Sequence, residues 1–168
     1  EEKELEIWGI EIKSATFRKF KTYPICTYSG SLGPKLREGD FQSPEGFYDV
    51  TKDRLNPNSD FHLSFNVGYP NAYDRGLGRT GSFIMVHGAC VSIGCFAMTN
   101  EGIEEIYLLV ESALNGGQAS LPVHIFPFRM TEENMKAHEG DEWMTFWKNL
   151  KEGNDRSLLH IPEPTRPN

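Results

Sequence analysis

Cysteine is scarce in this chain, with 3 in 168 residues. Three are too few for a disulfide framework, and an odd number leaves at least one without a partner in the chain. Metal-site spacing is missing too, with no C-x2-C pair and no H-E-x-x-H. Positive charge is in deficit. Lys and Arg number 17 against 24 Asp and Glu, a formal net charge of −7, which argues against nucleic acid as a partner because phosphates need clustered cations. No apolar run approaches the roughly 18 residues of a membrane-spanning helix. The opening EEKELEIWG is acidic rather than basic and apolar, so no secretory signal is legible in it; a chain from which a signal had been removed would read the same. No internal repeat stands out. What is present, 38% hydrophobic and 24% charged residues, suits one globular domain with a real core.

The first half reads as strands and turns. LEIWGIEI and TFRKFKTYPIC are rich in β-branched and aromatic residues with partial alternation. SGSLGPKLREGDFQSPEG is a loop, or a short strand between loops. GFYDVT resumes strand character, and DRLNPNSD is a turn cluster. FHLSFNVGYP alternates Phe61, Leu63, Phe65 and Val67 against His62, Ser64 and Asn66, the pattern of a half-buried strand. NAYDRGLGRTGS reads as a long loop, and FIMVHG as a short buried strand ending at His87. Helical period begins later. In NEGIEEIYLLVESALNGG, Ile103, Ile106, Tyr107, Val110, Ala113 and Leu114 form one face, Thr99 or Asn100 can cap it, and Gly116-Gly117 can stop it. LPVHIFPF is a further strand. TEENMKAHEG and DEWMTFWKNLKEG form one helix broken near Gly140, or two, with Trp143, Phe146, Trp147 and Leu150 as a packing stripe. The expectation is a mixed α/β, β-rich fold with helices mainly in the C-terminal half. It is one domain over 1–168, with a core of about 5–131, a helical extension over 132–153 and an extended, proline-bearing tail over 154–168.

Chemistry concentrates in MVHGACVSIGCFAMT, which places His87, Cys90 and Cys95 within nine residues among small ones. Three readings compete. Cys95 can be a nucleophile with His87 as its base, since a neighbouring imidazole or a helix N-terminus activates a thiol; the N–H groups around Gly94 and Cys95 can then face a developing oxyanion. His87, Cys90 and Cys95 can instead ligate zinc, but His62 and His124, the candidates for a fourth ligand, sit in no spaced pair. Or these are ordinary buried residues of a tight turn. Spacing alone favours catalysis only slightly.

VHG followed by SIGCFAM resembles the catalytic motif of the L,D-transpeptidases, the YkuD-type domain, in which a His-Gly at a strand end precedes Ser/Thr-x-Gly-Cys. SPEGFYDV, Ser43 to Val50, is similar to that family's Thr/Ser-Pro-x-Gly-x-Tyr segment, and the order of the two fits. The longer pattern, from YSGSLGPKLREGDFQSPEGFY through FNVGYPNAYDRGLGRTGS to VHIFPFRMT, resembles the YafK-like branch and covers roughly Leu5 to Thr131. There are departures: Ile93 stands where the family usually has histidine, Ala97 and Met98 follow where Asn or Arg is common, and the gap from His87 to the cysteine motif is short. The resemblance implies a β-sandwich of the L,D-transpeptidase kind, with Cys95 acylated by a peptidoglycan stem peptide at the L-centre of meso-diaminopimelate. It also implies His87 as base and the Gly88 carbonyl as its third partner. No metal or organic cofactor is implied, and the compartment is the bacterial periplasm, with a signal peptide already removed. The branch points toward hydrolysis that releases lysine-linked lipoprotein or cleaves L,D bonds. Transpeptidation into crosslinks or protein anchors uses the same acyl-enzyme, and an inactive peptidoglycan- or lipoprotein-binding domain is the alternative from another class.

Beside that resemblance stand residues read from their own chemistry. Arg75 and Arg79 can bind stem-peptide carboxylates by bidentate hydrogen bonds, or lie in a solvated loop. Tyr73 is a pocket wall or a turn aromatic. Ser92 can orient His87 or the substrate, or bond its own backbone. His124 can line the cleft, whereas His62 reads as structural. Cys90 either bridges Cys26 or packs as a small hydrophobe.

Overall fold

A computed structural model of the chain describes residues 2–10 and 17–158. In chain order its elements are β1 (Glu4–Ile10), β2 (Phe17–Pro24), β3 (Gly46–Val50), a single 3-10 turn (Lys52–Arg54), β4 (Leu55–Ser59), β5 (His62–Asn66) and α1 (Ala72–Gly76). There follow β6 (Met85–His87), β7 (Phe96–Ala97), α2 (Asn100–Asn115), β8 (Leu121–Ile125), α3 (Glu132–Ala137) and α4 (Met144–Leu158). The fold is mixed α/β, and the chain divides into two compact units.

The unit spanning Pro24–Pro127 carries two sheets. One is the antiparallel pair β3–β8, with Tyr48 opposite Val123. The other has the order β4–β5–β6–β7. Its first two pairings are antiparallel and its last, β6 with β7, is parallel. Helix α2 packs on β5 and reaches β8. Its buried face is Ile103, Ile106, Tyr107, Val110 and Leu114, and the Thr99 side chain caps it by accepting the Gly102 N–H. Phe65, Val67, Val86, Phe96, Met98 and the α2 residues form this core.

The other unit combines Glu2–Tyr23 with Phe128 onward. Its strands β1 and β2 pair with each other. Phe128 stacks on His138 at 4.2 Å and meets Trp147 edge-on at 5.2 Å, and Trp147, Phe146 and Leu150 are the buried stripe of α4.

Several segments differ from their sequence reading. DRLNPNSD, read as a turn cluster, holds most of the 3-10 turn and all of β4. Strand β4 is at the sheet edge, which tolerates Pro57 because one side of its backbone needs no ladder donor. NAYDRGLGRTGS, read as a loop, contains α1, closed by a capping box in which Asn71 accepts the Asp74 N–H and Asp74 accepts the Asn71 N–H. Ser64, placed on a polar face, is buried. Helix α4 runs on through Asn154–Leu158, where the extended tail was expected to begin; the remainder of that tail, 159–168, lies outside the described residues.

Candidate active site

The site is assembled by the register of three short strands. Phe65 faces Val86 and Val86 faces Phe96, so these three share one side of the sheet, and all are buried. Ser64 faces His87 and His87 faces Ala97 on the other side. Alternation along β6 puts Met85 on that second side as well. Cys95 is the residue immediately before β7, the strand that runs parallel to β6, which ends at His87, and its sulfur reaches β6 through the Met85 N–H.

His87 is 3% exposed. Its Nδ1 lies 2.6 Å from the Gly88 carbonyl oxygen. A carbonyl can only accept, so Nδ1 carries the proton and Nε2 is the basic nitrogen. The ring packs 4.9 Å from that of Phe61. The backbone around it is pinned: Gly88 N–H donates to Phe61 O at 3.0 Å, and Met98 N–H donates to His87 O at 2.7 Å. Gly88 has no room for a side chain, because a Cβ would stand 2.8 Å from Asn100 Oδ1 and 3.0 Å from Phe61 O. That Asn100 oxygen is fixed by the Ala89 N–H at 2.9 Å.

Cys95 is the free cysteine and is partly exposed. Its sulfur accepts the Met85 N–H at 3.4 Å, and its thiol donates to Phe83 O at 3.6 Å. Burial pushes the thiol pKa above the ordinary value; the Met85 N–H and the Lys35 ammonium oppose this without cancelling it. Among the described residues the sulfur's hydrogen bonds are to Met85 and Phe83 and not to His87.

The turn before Cys95 is laced from within and from outside. Ser92 Oγ donates to Cys95 O at 2.5 Å and accepts the Gly94 N–H at 3.2 Å. Gly94 has φ +135°, a conformation that strains any L side chain. Ser43, which heads SPEGFYDV, donates to Gly94 O at 3.2 Å and accepts the Ser29 N–H at 3.3 Å. Ser29 Oγ donates to Ser92 O at 3.3 Å. Cys26 and Cys90 are disulfide-bonded, with Cα atoms 5.2 Å apart. This resolves the alternatives left open for Cys90 and removes it as a thiolate ligand for zinc. Cys26 N–H donates to Ala97 O at 2.8 Å, so the bridge ties the His87–Cys95 connection to a segment already paired with β7.

The other candidates lie as follows. Arg79 is buried, and the carboxylate its guanidinium meets is that of Asp74, at 2.8 Å; Tyr48 OH donates to the same Asp74 at 3.2 Å. Arg75 is exposed and donates to Pro70 O. Tyr73 is exposed, with the Arg79 guanidinium over its ring at 5.6 Å. His124 is on β8, its ring 4.9 Å from Phe47, and burial lowers its pKa against an opposing pull from Asp49. His62 is at the start of β5 and pairs with Glu104 at 2.6 Å. Two residues with a part in the site went unread in the sequence. Ser43 was legible as a motif position but not as a support of the nucleophile's turn. Lys35 sits among charged loop residues, and only its burial sets it apart.

The YkuD family model, the L,D-transpeptidase catalytic domain, matches residues 15–125. The chain belongs to the L,D-transpeptidase catalytic domain family. It is 53% identical over 139 residues to the Escherichia coli K12 protein named "Putative L,D-transpeptidase YafK", a match covering 83% of this chain and 56% of that protein. The O157:H7 protein of the same name matches to the same degree. The chain thus spans about half the length of these curated relatives. Among solved structures, the helical cell shape determining protein Pgp2 of Campylobacter jejuni is 27% identical with a TM-score of 0.56, over 73% of this chain and 43% of that one. Its K307A mutant, at 22% identity and a TM-score of 0.58 over 94% and 52%, shares the fold.

Proposed function

We propose that this protein is a cysteine enzyme of the bacterial periplasm that acts on peptidoglycan stem peptides through a thioester on Cys95. The observation that carries this reading is the parallel pairing of β6, which ends at His87, with β7, which Cys95 immediately precedes. Substrate entry displaces the thiol from Phe83 O, and Nε2 of His87 takes the thiol proton. Sulfur attacks the carbonyl at the L-centre of meso-diaminopimelate. The Nδ1–H bond to Gly88 O orients the ring and stabilises the imidazolium. The Gly94 N–H is held by Ser92, so the Cys95 N–H is the better placed backbone donor for the oxyanion. Collapse expels the amine, protonated by His87, and leaves the thioester. Water then attacks, giving a free carboxylate and restoring the thiol. Hydrolysis of an amide to a lysine side chain would release an anchored lipoprotein; the same cycle ending on an amine would form a crosslink or anchor. The name borne by the YafK relative keeps that second ending as the alternative. Pgp2, a helical cell shape determining protein with the same fold, supports action in the cell wall.

Arg75, Tyr73 and His124 remain our candidates for substrate contact, and Arg79 acts through Asp74 on the α1 loop. The test is mass spectrometry of fragments from sacculi, some carrying bound lipoprotein, after incubation with the protein or Cys95→Ala. Loss of diaminopimelate–lysine or L,D linkages only with the intact cysteine is the expected result. A gain of such linkages makes the enzyme a transpeptidase. No change, where a known family enzyme works, turns the reading to a binding domain.

A further inference from the structure

Lys35 belongs to the loop PKLREGD, where a lysine is ordinarily solvated, yet it is 4% exposed. Its Nζ donates to Arg37 O at 3.0 Å and forms an ion pair with Asp40. Asp40 also accepts the N–H groups of Leu36 at 2.9 Å, Arg37 at 3.0 Å and Gln42 at 3.1 Å. Burial alone would raise the Asp40 pKa; these donors and Lys35 overcome it and hold the carboxyl below its usual range. Asp40 therefore meets the lysine as a carboxylate. An ion pair with a buried lysine and a half-buried carboxylate is poor evidence for stability, since desolvation offsets much of its attraction. Its presence asks for another reason.

The contacts of this loop supply one. Tyr69 OH lies 3.0 Å from Lys35 O and 3.3 Å from Thr80 O, and Thr80 N–H donates to Leu36 O at 3.1 Å. A Cβ on Gly81 would stand 2.8 Å from Lys35 Cε, so the lysine stem packs flat against that backbone. Two residues on, Phe83 O takes the hydrogen of the Cys95 thiol. We propose that Lys35 is a positioning residue for the nucleophile: it holds the Thr80–Phe83 segment against which the Cys95 sulfur rests, and supplies positive charge to that sulfur as it ionises. This rests on the reading of Cys95 as the nucleophile. The downward pull of Lys35 on the thiol, against its burial, agrees with it. Arg37 lies between the two members of the pair and bonds both through its backbone, and Tyr69, beside Lys35, feels Glu38, Asp40, Asp74 and Arg79.

The test compares the pH dependence of Cys95 alkylation by iodoacetamide in the unaltered protein, in Lys35→Met with Asp40→Asn, and in Asp40→Asn alone. The double variant removes both charges and leaves none buried alone. Its midpoint should rise by about half a unit to one unit, roughly a three- to tenfold slower rate at fixed pH. Asp40→Asn keeps the ammonium and loses its counter-charge, so its midpoint should stay or fall. A merely structural role would loosen the loop in both and move them together. A double variant that coincides with the unaltered protein, or a rise in Asp40→Asn, overturns the proposal. Should the double variant fail a melting assay, the direction seen in Asp40→Asn decides. Turnover on sacculi is followed in parallel; its absence in the unaltered protein would defeat the functional reading, while the alkylation comparison would still report on Lys35.

Discussion

At the scale of single residues, the site separates a proton acceptor from a proton donor by fixing each to a backbone carbonyl. His87 gives its Nδ1 hydrogen to Gly88 O, and Cys95 gives its thiol hydrogen to Phe83 O. Converting His87 to Ala should lower turnover by about 10²–10⁴-fold with the fold retained, as expected for loss of a general base, and steady-state kinetics beside a melting curve would check both. Cys95 carries a further consequence. Its folded pKa is raised, so the neutral thiol is favoured by the fold. The corresponding stability is fully present below the ordinary thiol pKa of about 8.5 and is lost as pH rises through the higher folded value. Denaturant melts across that window should fall with pH in the unaltered protein and less so in Cys95→Ala. For the same reason, iodoacetamide should alkylate Cys95 more slowly than a free thiol at neutral pH; faster reaction would show a thiolate already formed. Ser43→Ala should leave the Gly94 carbonyl without its donor, at a stability cost of about 1 kcal/mol, and slow turnover through a looser turn.

At the scale of elements, the connection from β6 to β7 is short and held at many points. Ala89 and Cys90 both have positive φ, 67° and 52°, which non-glycine residues adopt only under constraint. The Asn100 side chain and the bridge to Cys26 supply it. Cys26→Ser with Cys90→Ser should therefore lower stability by roughly 2–4 kcal/mol and reduce turnover more than substrate affinity, read from melts and from kcat against KM. Thr99→Ala, at the N-terminus of α2, should cost about 1 kcal/mol and leave the site in place. These elements were unevenly legible. The period of α2 and its cap stood in the letters from Thr99 to Gly117, because amphipathic spacing over several turns is a strong local signal. Strand β4 and helix α1 did not. Asn56, Pro57 and Asn58 are turn residues by propensity, and tertiary pairing with β5 overrides it. In α1, Asn71 and Asp74 cap a helix too short to show a period.

At the scale of the whole molecule, the candidate site is a product of register. His87 and Cys95 are eight apart in a chain that could fold that interval in many ways, and spacing favoured catalysis only slightly. The motif resemblance named both residues. What no motif shows is that β6 and β7 run parallel, with His87 ending one and Cys95 leading into the other, or that Ser43 reaches across to the turn from the other end of the sequence pattern. Burial was equally hidden: nothing in KLREGD distinguishes Lys35 from a solvated lysine, and nothing around Arg79 announced a pairing with Asp74. Pairing of distant segments decides both, and a single sequence carries no record of it. The central claim is that Cys95 is acylated by a stem peptide with His87 as its base. Intact-protein mass spectrometry after mixing with a diaminopimelate-containing stem peptide tests it most directly. The account predicts a covalent adduct, mapped to Cys95, that forms slowly in His87→Ala and never in Cys95→Ala. Product release that continues in Cys95→Ala, or an adduct at any other residue, would contradict it.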